Sequence, residues 1–378
     1  MENTTSASNA NNNDEEELRV LEFYSGIGGM HYGLKESGVK FEVVQSFDIN
    51  TNAILNYKYT FNENTSQKNI ESLTVEEIDN FKSNAWLMSP PCQPFTRSGL
   101  QKDDLDNRTN SFFHLLDVIG KLKSPPKYIL IENVFGFEKS NTRTELVKVL
   151  KQLHYSFQEF HLTPQQFDLP NQRLRYFCIA KLNSIFNFQE IEETIIDKKD
   201  ENVNNINNEN NENNNNNDNN DNNDKYKILN YIPGYNHSTL EDCEPLSNYL
   251  DTDKTDDEIY QQHKVPEKLL LSKGMLFDIK QKESKTCNCF TKSYGKFVEG
   301  TGSIIQIDNE FKADETNPKS LIPMKLRYFT PKEITRLHGF PEEFKFSPQL
   351  KTIQCYRLIG NSLNVKIISE LVKLLVSK

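Results

Sequence analysis

Leu18-Arg19-Val20-Leu21-Glu22-Phe23-Tyr24-Ser25-Gly26-Ile27-Gly28-Gly29-Met30 decides the architecture of this chain of 378 residues. Leu18 to Phe23 is a short apolar-rich run that reads as a strand. The glycines after it read as a turn, and Met30, Leu34 and Ser37 mark a helix that stops at Gly38. Outward from this unit, 41–47 gives a second strand ending at Asp48, and Ala53, Ile54 and Tyr57 mark the helix after it. Further strands are expected at 85–88, 128–131 and 176–180, with helices near 111–122 and 142–153 between them. Strands alternating with helices imply an α/β fold built on a doubly wound, mostly parallel sheet.

From about 183 to 320 that rhythm is lost, which points to a second, smaller, irregular domain. Helical signals return at Thr330-Pro331-Lys332-Glu333, where Thr330 suits an N-cap, Pro331 the first helical position and Glu333 the capping-box acid. Gly360-Asn361-Ser362 precedes a last apolar-rich helix at 367–376. The formal charge of -10 argues at first against a nucleic-acid partner. Residues 1–17 carry five acidic side chains and 200–224 carry seven, with no basic residue in either, so the rest of the chain stands near +2. Both segments are polar and nearly free of apolar residues and are expected to be disordered. No run is apolar enough to span a bilayer and no secretory leader is evident, which suggests cytoplasm, nucleus or both. Six scattered cysteines without metal-site spacing suggest free thiols and no metal.

Ser89-Pro90-Pro91-Cys92-Gln93-Pro94 follows the expected strand at 85–88 and sets one thiol among three prolines. Proline fixes φ and removes a donor, so the loop has few alternative conformations and presents the sulfur. Cysteine is equally a small buried hydrophobe, and this string alone leaves both readings open. Glu132-Asn133-Val134 puts a carboxylate on the same sheet edge as Cys92, where open parallel sheets bind ligands. Glu132 is either a helix-capping acid or a proton donor beside a nucleophile. Arg173 and Arg175, two apart in an extended segment, point the same way. They form a solvated basic edge, or a patch that recognises phosphate and stabilises a thiolate. The glycine turn implies a bound cofactor whose approach needs bare backbone and helix N-terminal amides. His31 stands where a dinucleotide fingerprint needs glycine, which disfavours NAD. Asp48 can accept both hydroxyl hydrogens of a ribose, or is a solvated strand-end acid.

In order, Glu22 to Gly29, Pro90 to Pro94, Glu132-Asn133-Val134, the Arg173 and Arg175 pair and Gly360-Asn361-Ser362 resemble the successive motifs of the cytosine-5 methyltransferase family. Cys289-Phe290-Thr291, with no large regulatory extension, resembles the branch called DNA methyltransferase 2, which methylates cytosine-38 in the anticodon loop of aspartate tRNA. The resemblance covers most of 18–182 and 285–378 and implies a Rossmann-like methyltransferase domain with a smaller target-recognition domain. It makes Cys92 the nucleophile, Glu132 the acid, and Arg173 and Arg175 the groups that orient base, phosphate and thiol. It implies S-adenosylmethionine, leaving as S-adenosylhomocysteine, held by Glu22, Tyr24 and the backbone of Gly26, Ile27, Gly28 and Gly29. Asp48 would take the ribose, Ile49 and Ile70 the adenine faces and Asn69 the adenine amine, with Pro90, Ser111, Asn361 and Ser362 alongside. Gln93, Asn133, Cys289, Phe290 and Thr291 would meet the substrate.

Three positions depart from the family pattern: Glu22 and Asn69 stand where aspartate is usual, and Asn171 where glutamine is usual. The division expected is a tail at 1–17, a catalytic domain at 18–182, a recognition domain at 183–350 with its insert at about 197–225, and a return segment at 351–378. The partner implied is tRNA, tRNA-Asp first, bound by a monomer without membrane or metal. Methylation of DNA and silent RNA binding on the same fold are the competing readings, and fold does not decide among them.

Overall fold

A computed structural model describes residues 16–91, 109–188 and 227–377. Cys92, Gln93 and the Asn-rich insert lie outside the described residues, as does the expected tail up to residue 15. The last two residues of that tail are described: the Glu16 carboxylate lies 2.5 Å from Lys127 Nζ, and the Glu17 carbonyl accepts from Asn84.

The larger body is a six-stranded sheet of β1 (Leu18–Phe23), β2 (Phe41–Phe47), β3 (Ala85–Met88), β4 (Tyr128–Val134), β5 (Tyr155–Leu162) and β6 (Arg175–Leu182), in the order β2-β1-β3-β4-β6-β5. The pairs among β1 to β4 are parallel, whereas β6 runs antiparallel to both β4 and β5. Every residue of β3 is buried, as a strand covered on both faces requires. Side chains alternate across the sheet. Leu21 and Phe23 join one core with Ile78 of α3 (Val75–Asn80), Phe112 and Leu115 of α4 (Asn110–Ile119) and Leu146 and Leu150 of α5 (Asn141–Gln152). Leu18 and Val20 join the other, with Leu34 of α1 (Gly29–Ser37) and Ile368 and Leu371 of α10 (Val365–Val376). A side chain at Gly33 would run into Ile368, so glycine sets the close approach of α1 and α10.

β5 was not among the expected strands. Ser156, Gln158, Glu159 and His161 interrupt its apolar residues, yet Glu159 is 1% exposed because Arg143 Nε donates to it at 2.8 Å and Tyr176 Oη at 2.7 Å. A buried charge of this kind is tolerated only with partners, and these come from α5 and β6.

The smaller sheet joins β7 (Asp278–Lys280), β8 (Ser303–Gln306) and β9 (Leu326–Tyr328). Around it pack α6 (Asp256–His263), α7 (Glu267–Lys273) and α8 (Pro331–Leu337). Thr330 and Glu333 form the expected capping box, and Glu333 also pairs with Arg327 at 2.8 Å with neither side chain exposed. The expected 183–350 domain is divided in its packing. Leu229 bridges Phe160 on the free edge of β5, and Phe340 and Phe344 pack on Tyr32 beside α2 (Thr51–Phe61). α9 (Thr352–Gly360) then leads back to α10.

Candidate active site

The C-terminal ends of β1 to β4 open onto a cavity of about 530 Å³, lined at one end by the glycine turn and at the other by Glu132 and the arginine pair. This is the edge at which open α/β sheets bind ligands. Tyr24 leaves β1 with φ 60° and Gly26 follows at 56°. A left-handed conformation costs a residue with a side chain about 1–2 kcal/mol, so Tyr24 marks strain at the cavity. Asp48 fixes the turn: Oδ2 accepts the Gly26 N–H at 2.8 Å and Oδ1 the Asn50 N–H at 2.7 Å. Burial raises the Asp48 pKa against those hydrogen bonds. A Cβ at Gly26 would meet nothing nearer than the Tyr24 carbonyl oxygen at 4.0 Å, so the backbone there is bare toward open space.

Ile27 and Gly29 complete the turn's share of the lining. Ser25, which sequence reasoning passed over, lines the same wall with a buried Oγ that has no partner. Across from it Ile49 keeps 71% of its surface exposed, beside Asn69 and Ile70. Asn69 Oδ1 accepts the Glu71 N–H at 3.2 Å and caps a short turn. Tyr24 Oη donates to Ser111 Oγ at 2.9 Å, and burial raises the Tyr24 pKa. Asn361 and Ser362 close the cavity from the α9–α10 connection.

Glu132 is 8% exposed and held from two sides: Ser89 Oγ donates to Oε2 at 2.7 Å, and Arg175 Nε lies 3.7 Å from Oε1. Asn133 Nδ2 donates to the Pro90 carbonyl at 3.4 Å. The chain that leaves β3 toward Cys92 is thus tied at Ser89 and Pro90 to the end of β4. Ser89 was legible as the residue preceding Pro90-Pro91, but a hydroxyl beside a strand end carries no signal of its partner.

Arg173 is 3% exposed. Its Nη1 donates to the Phe290 carbonyl at 3.1 Å and to Cys289 Sγ at 3.2 Å, and its Nη2 to the Gly360 carbonyl at 3.2 Å and to the Ser362 carbonyl. It joins three distant parts of the chain while lining the cavity. Arg175 Nη2 reaches Cys289 Sγ at 3.6 Å. Burial works to raise the Cys289 pKa, but the two guanidinium groups outweigh it and the net shift is downward.

Several expected site residues lie elsewhere. Glu22 is fully buried behind the turn, where Oε2 accepts the Tyr57 hydroxyl at 2.9 Å and burial pushes the carboxyl up to about 8. Its side chain supports the turn from beneath rather than facing the cavity. Gly28, at φ 85°, points a would-be Cβ into the Phe61 ring, so it closes the turn against α2. Phe290 is 1% exposed between Tyr294 and Phe329, and Thr291 donates its N–H to the Thr301 carbonyl. Both are packing residues of the smaller domain, and Cys289 sits beneath the arginine pair. Lys68 and Lys292 line the cavity without having been expected there. Among the described residues no group of three His, Cys, Asp or Glu is placed to hold a metal, and no helix is long and apolar enough to cross a membrane.

Comparison with known proteins places this geometry. Residues 18–377 match the family model for C-5 cytosine-specific DNA methylase. A Dictyostelium discoideum protein named DNA (cytosine-5)-methyltransferase is 72% identical over 96% of this chain and 95% of its own length. The Homo sapiens tRNA (cytosine(38)-C(5))-methyltransferase is 42% identical over 95% of this chain and 99% of its own length. The crystal structure of the S. pombe Dnmt2 methyltransferase superposes with a TM-score of 0.74 at 33% identity, over 95% of this chain and 98% of that one. With its sheet, its glycine turn and a carboxylate facing the cavity, the chain belongs to the C-5 cytosine-specific DNA methylase family and is a cytosine-C5 methyltransferase.

Proposed function

We propose that this enzyme methylates C5 of a cytosine in RNA, cytosine-38 in the anticodon loop of aspartate tRNA first, using S-adenosylmethionine. The orphaned Ser25 hydroxyl, the bare Gly26 backbone and the exposed Ile49 side chain fit a nucleoside-bearing ligand, with Asp48 offering carboxylate lone pairs to the ribose. When bound, S-adenosylmethionine supplies an electrophilic methyl group and leaves as S-adenosylhomocysteine.

The observation that carries the chemical reading is Glu132, a carboxylate held at the cavity by Ser89 and Arg175 beside the chain that leads to Cys92. C5 of cytosine is a weak nucleophile, and addition of the Cys92 thiolate at C6 turns it into an enamine carbon. Glu132 receives the exocyclic amine and donates a proton to N3 as the C6–S bond forms, so negative charge does not accumulate on the ring. After methylation at C5, loss of the C5 proton drives out the Cys92 sulfur and N3 gives its proton back. Arg175 holds the Glu132 carboxylate in place for both transfers.

The RNA reading is supported by end-to-end similarity to tRNA (cytosine(38)-C(5))-methyltransferases, and by the small size of the β7–β9 domain, which offers little surface for reading a major groove. An unpaired loop also releases its base at less cost than a duplex. DNA is the second reading, favoured by the name of the Dictyostelium relative. Cys92→Ala is expected to abolish methyl transfer while the dissociation constant for S-adenosylmethionine stays within about twofold, whereas Asp48→Ala is expected to raise that constant about tenfold or more. Calorimetry with label transfer checks both, and near wild-type turnover by Cys92→Ala would refute the assignment.

A further inference from the structure

Phe135 and Leu174 keep 42% and 40% of their surfaces exposed. They stand one step beyond Val134 and Arg175, the last facing pair of β4 and β6, and both members of that pair line the cavity. The two exposed apolar residues are therefore next in the chain to residues that line the cavity beside Glu132, just outside its lining. Scattered exposed hydrophobics need no explanation, but this one is mounted on a fixed turn. Gly136, at φ 105°, donates its N–H to Glu138 Oε2 at 2.8 Å. The same oxygen lies 3.2 Å from His161 Nε2, and the His161 ring backs Phe135 with centroids 4.9 Å apart and planes at 58°. The aromatic ring is thus buttressed from within the protein and open outward.

We propose that Phe135, with Leu174 beside it, is a stacking shelf for the nucleobase next to the target cytosine, an unpaired base of the RNA strand. This rests on the RNA reading above. Turning the target cytosine into the cavity strips its neighbour of one stacking partner, and an aromatic face at the mouth replaces it. The strand that delivers one base into the cavity must cross that mouth, which is why the shelf's occupant is the adjoining nucleotide. In a duplex the neighbour stays stacked in its own helix and gains nothing, so the shelf favours a loop. Stacking tolerates any base, and the contact selects for unpaired structure rather than sequence.

The test uses an RNA hairpin with the target cytosine in its loop, and the same hairpin with abasic sites flanking the target. KM and kcat are measured for the wild type, Phe135→Ala and Phe135→Tyr. Phe135→Ala is expected to raise KM for the intact hairpin about 5- to 100-fold with kcat nearly unchanged, and Phe135→Tyr to restore it. The abasic hairpin is expected to cost the wild type a similar factor and Phe135→Ala nothing more. A Phe135→Ala KM within about twofold of wild type, or losses that multiply independently, would overturn the shelf while an active wild type keeps the RNA reading. A wild type that methylates no RNA would overturn both.

Discussion

Glu22 and Glu132 both sit at C-terminal ends of central strands, yet their surroundings give them different work. Glu132 faces the cavity with Ser89 and Arg175 as partners. Glu22 is sealed beneath the glycine turn with Oε1 unpartnered, and burial holds its carboxyl at about 8. The unfolded chain releases the corresponding proton near pH 4.3. Between these values the native state binds the proton and the unfolded state does not, so stability is full at low pH and falls as pH rises toward 8. His31 and His338, held by burial at about 4 and about 3, act in the opposite sense and only below the ordinary histidine range. Burial raises the Cys178 and Cys287 thiols in the same sense as Glu22, so the difference between the wild type and a Glu22 variant, not the interval from pH 7 to 8 alone, isolates Glu22. Glu22→Gln keeps an acceptor for Tyr57 and is expected to flatten the decline by about 1 kcal/mol across that interval. Urea midpoints of both proteins at the two pH values check this, and parallel declines would contradict it.

At the scale of elements, Gly360 ends α9 where its backbone touches Thr291 and Lys292 of the smaller domain. A methyl group there would collide with main chain, which cannot rotate aside. Gly360→Ala is expected to lower stability by about 1–3 kcal/mol and, because Arg173 bonds the Gly360 and Ser362 carbonyls, to weaken cofactor binding as well. A urea midpoint equal to wild type would refute this close approach.

The same junction shows what sequence could carry. β1, β2 and β3 were legible to the residue because each opens and closes on an apolar residue and is followed by turn residues, at Ser25-Gly26, Asp48 and Ser89-Pro90. β5 was not, since its pattern makes sense only once Arg143 and Tyr176 neutralise Glu159. The turn, Asp48 and Glu132 were legible as strand-end chemistry. Glu22 and Phe290 were placed at the site because a motif records which residues recur, not which way each side chain faces. Ser89 carried no signal because its importance lies in Glu132, far away in the chain, and Ser25 because a hydroxyl without a partner inside the protein leaves no mark in a motif.

For the whole molecule, two bodies share one cleft. The doubly wound sheet supplies the glycine turn, Asp48 and Glu132, while the smaller domain and the α9–α10 connection close it through Lys292, Asn361 and Ser362. Arg173, near the entry to β6, binds both sides, so the two bodies meet at the site itself. Such a cleft suits a base delivered out of its stack, and the modest size of the smaller domain suits an RNA loop held largely by its shape.

Transfer of tritiated methyl groups from S-adenosylmethionine to total RNA and, separately, to genomic DNA, with Cys92→Ala as the blank, tests this most directly. The expected result is label confined to a tRNA band and absent with Cys92→Ala. Label mainly in DNA, or in neither nucleic acid, would contradict the RNA methyltransferase reading.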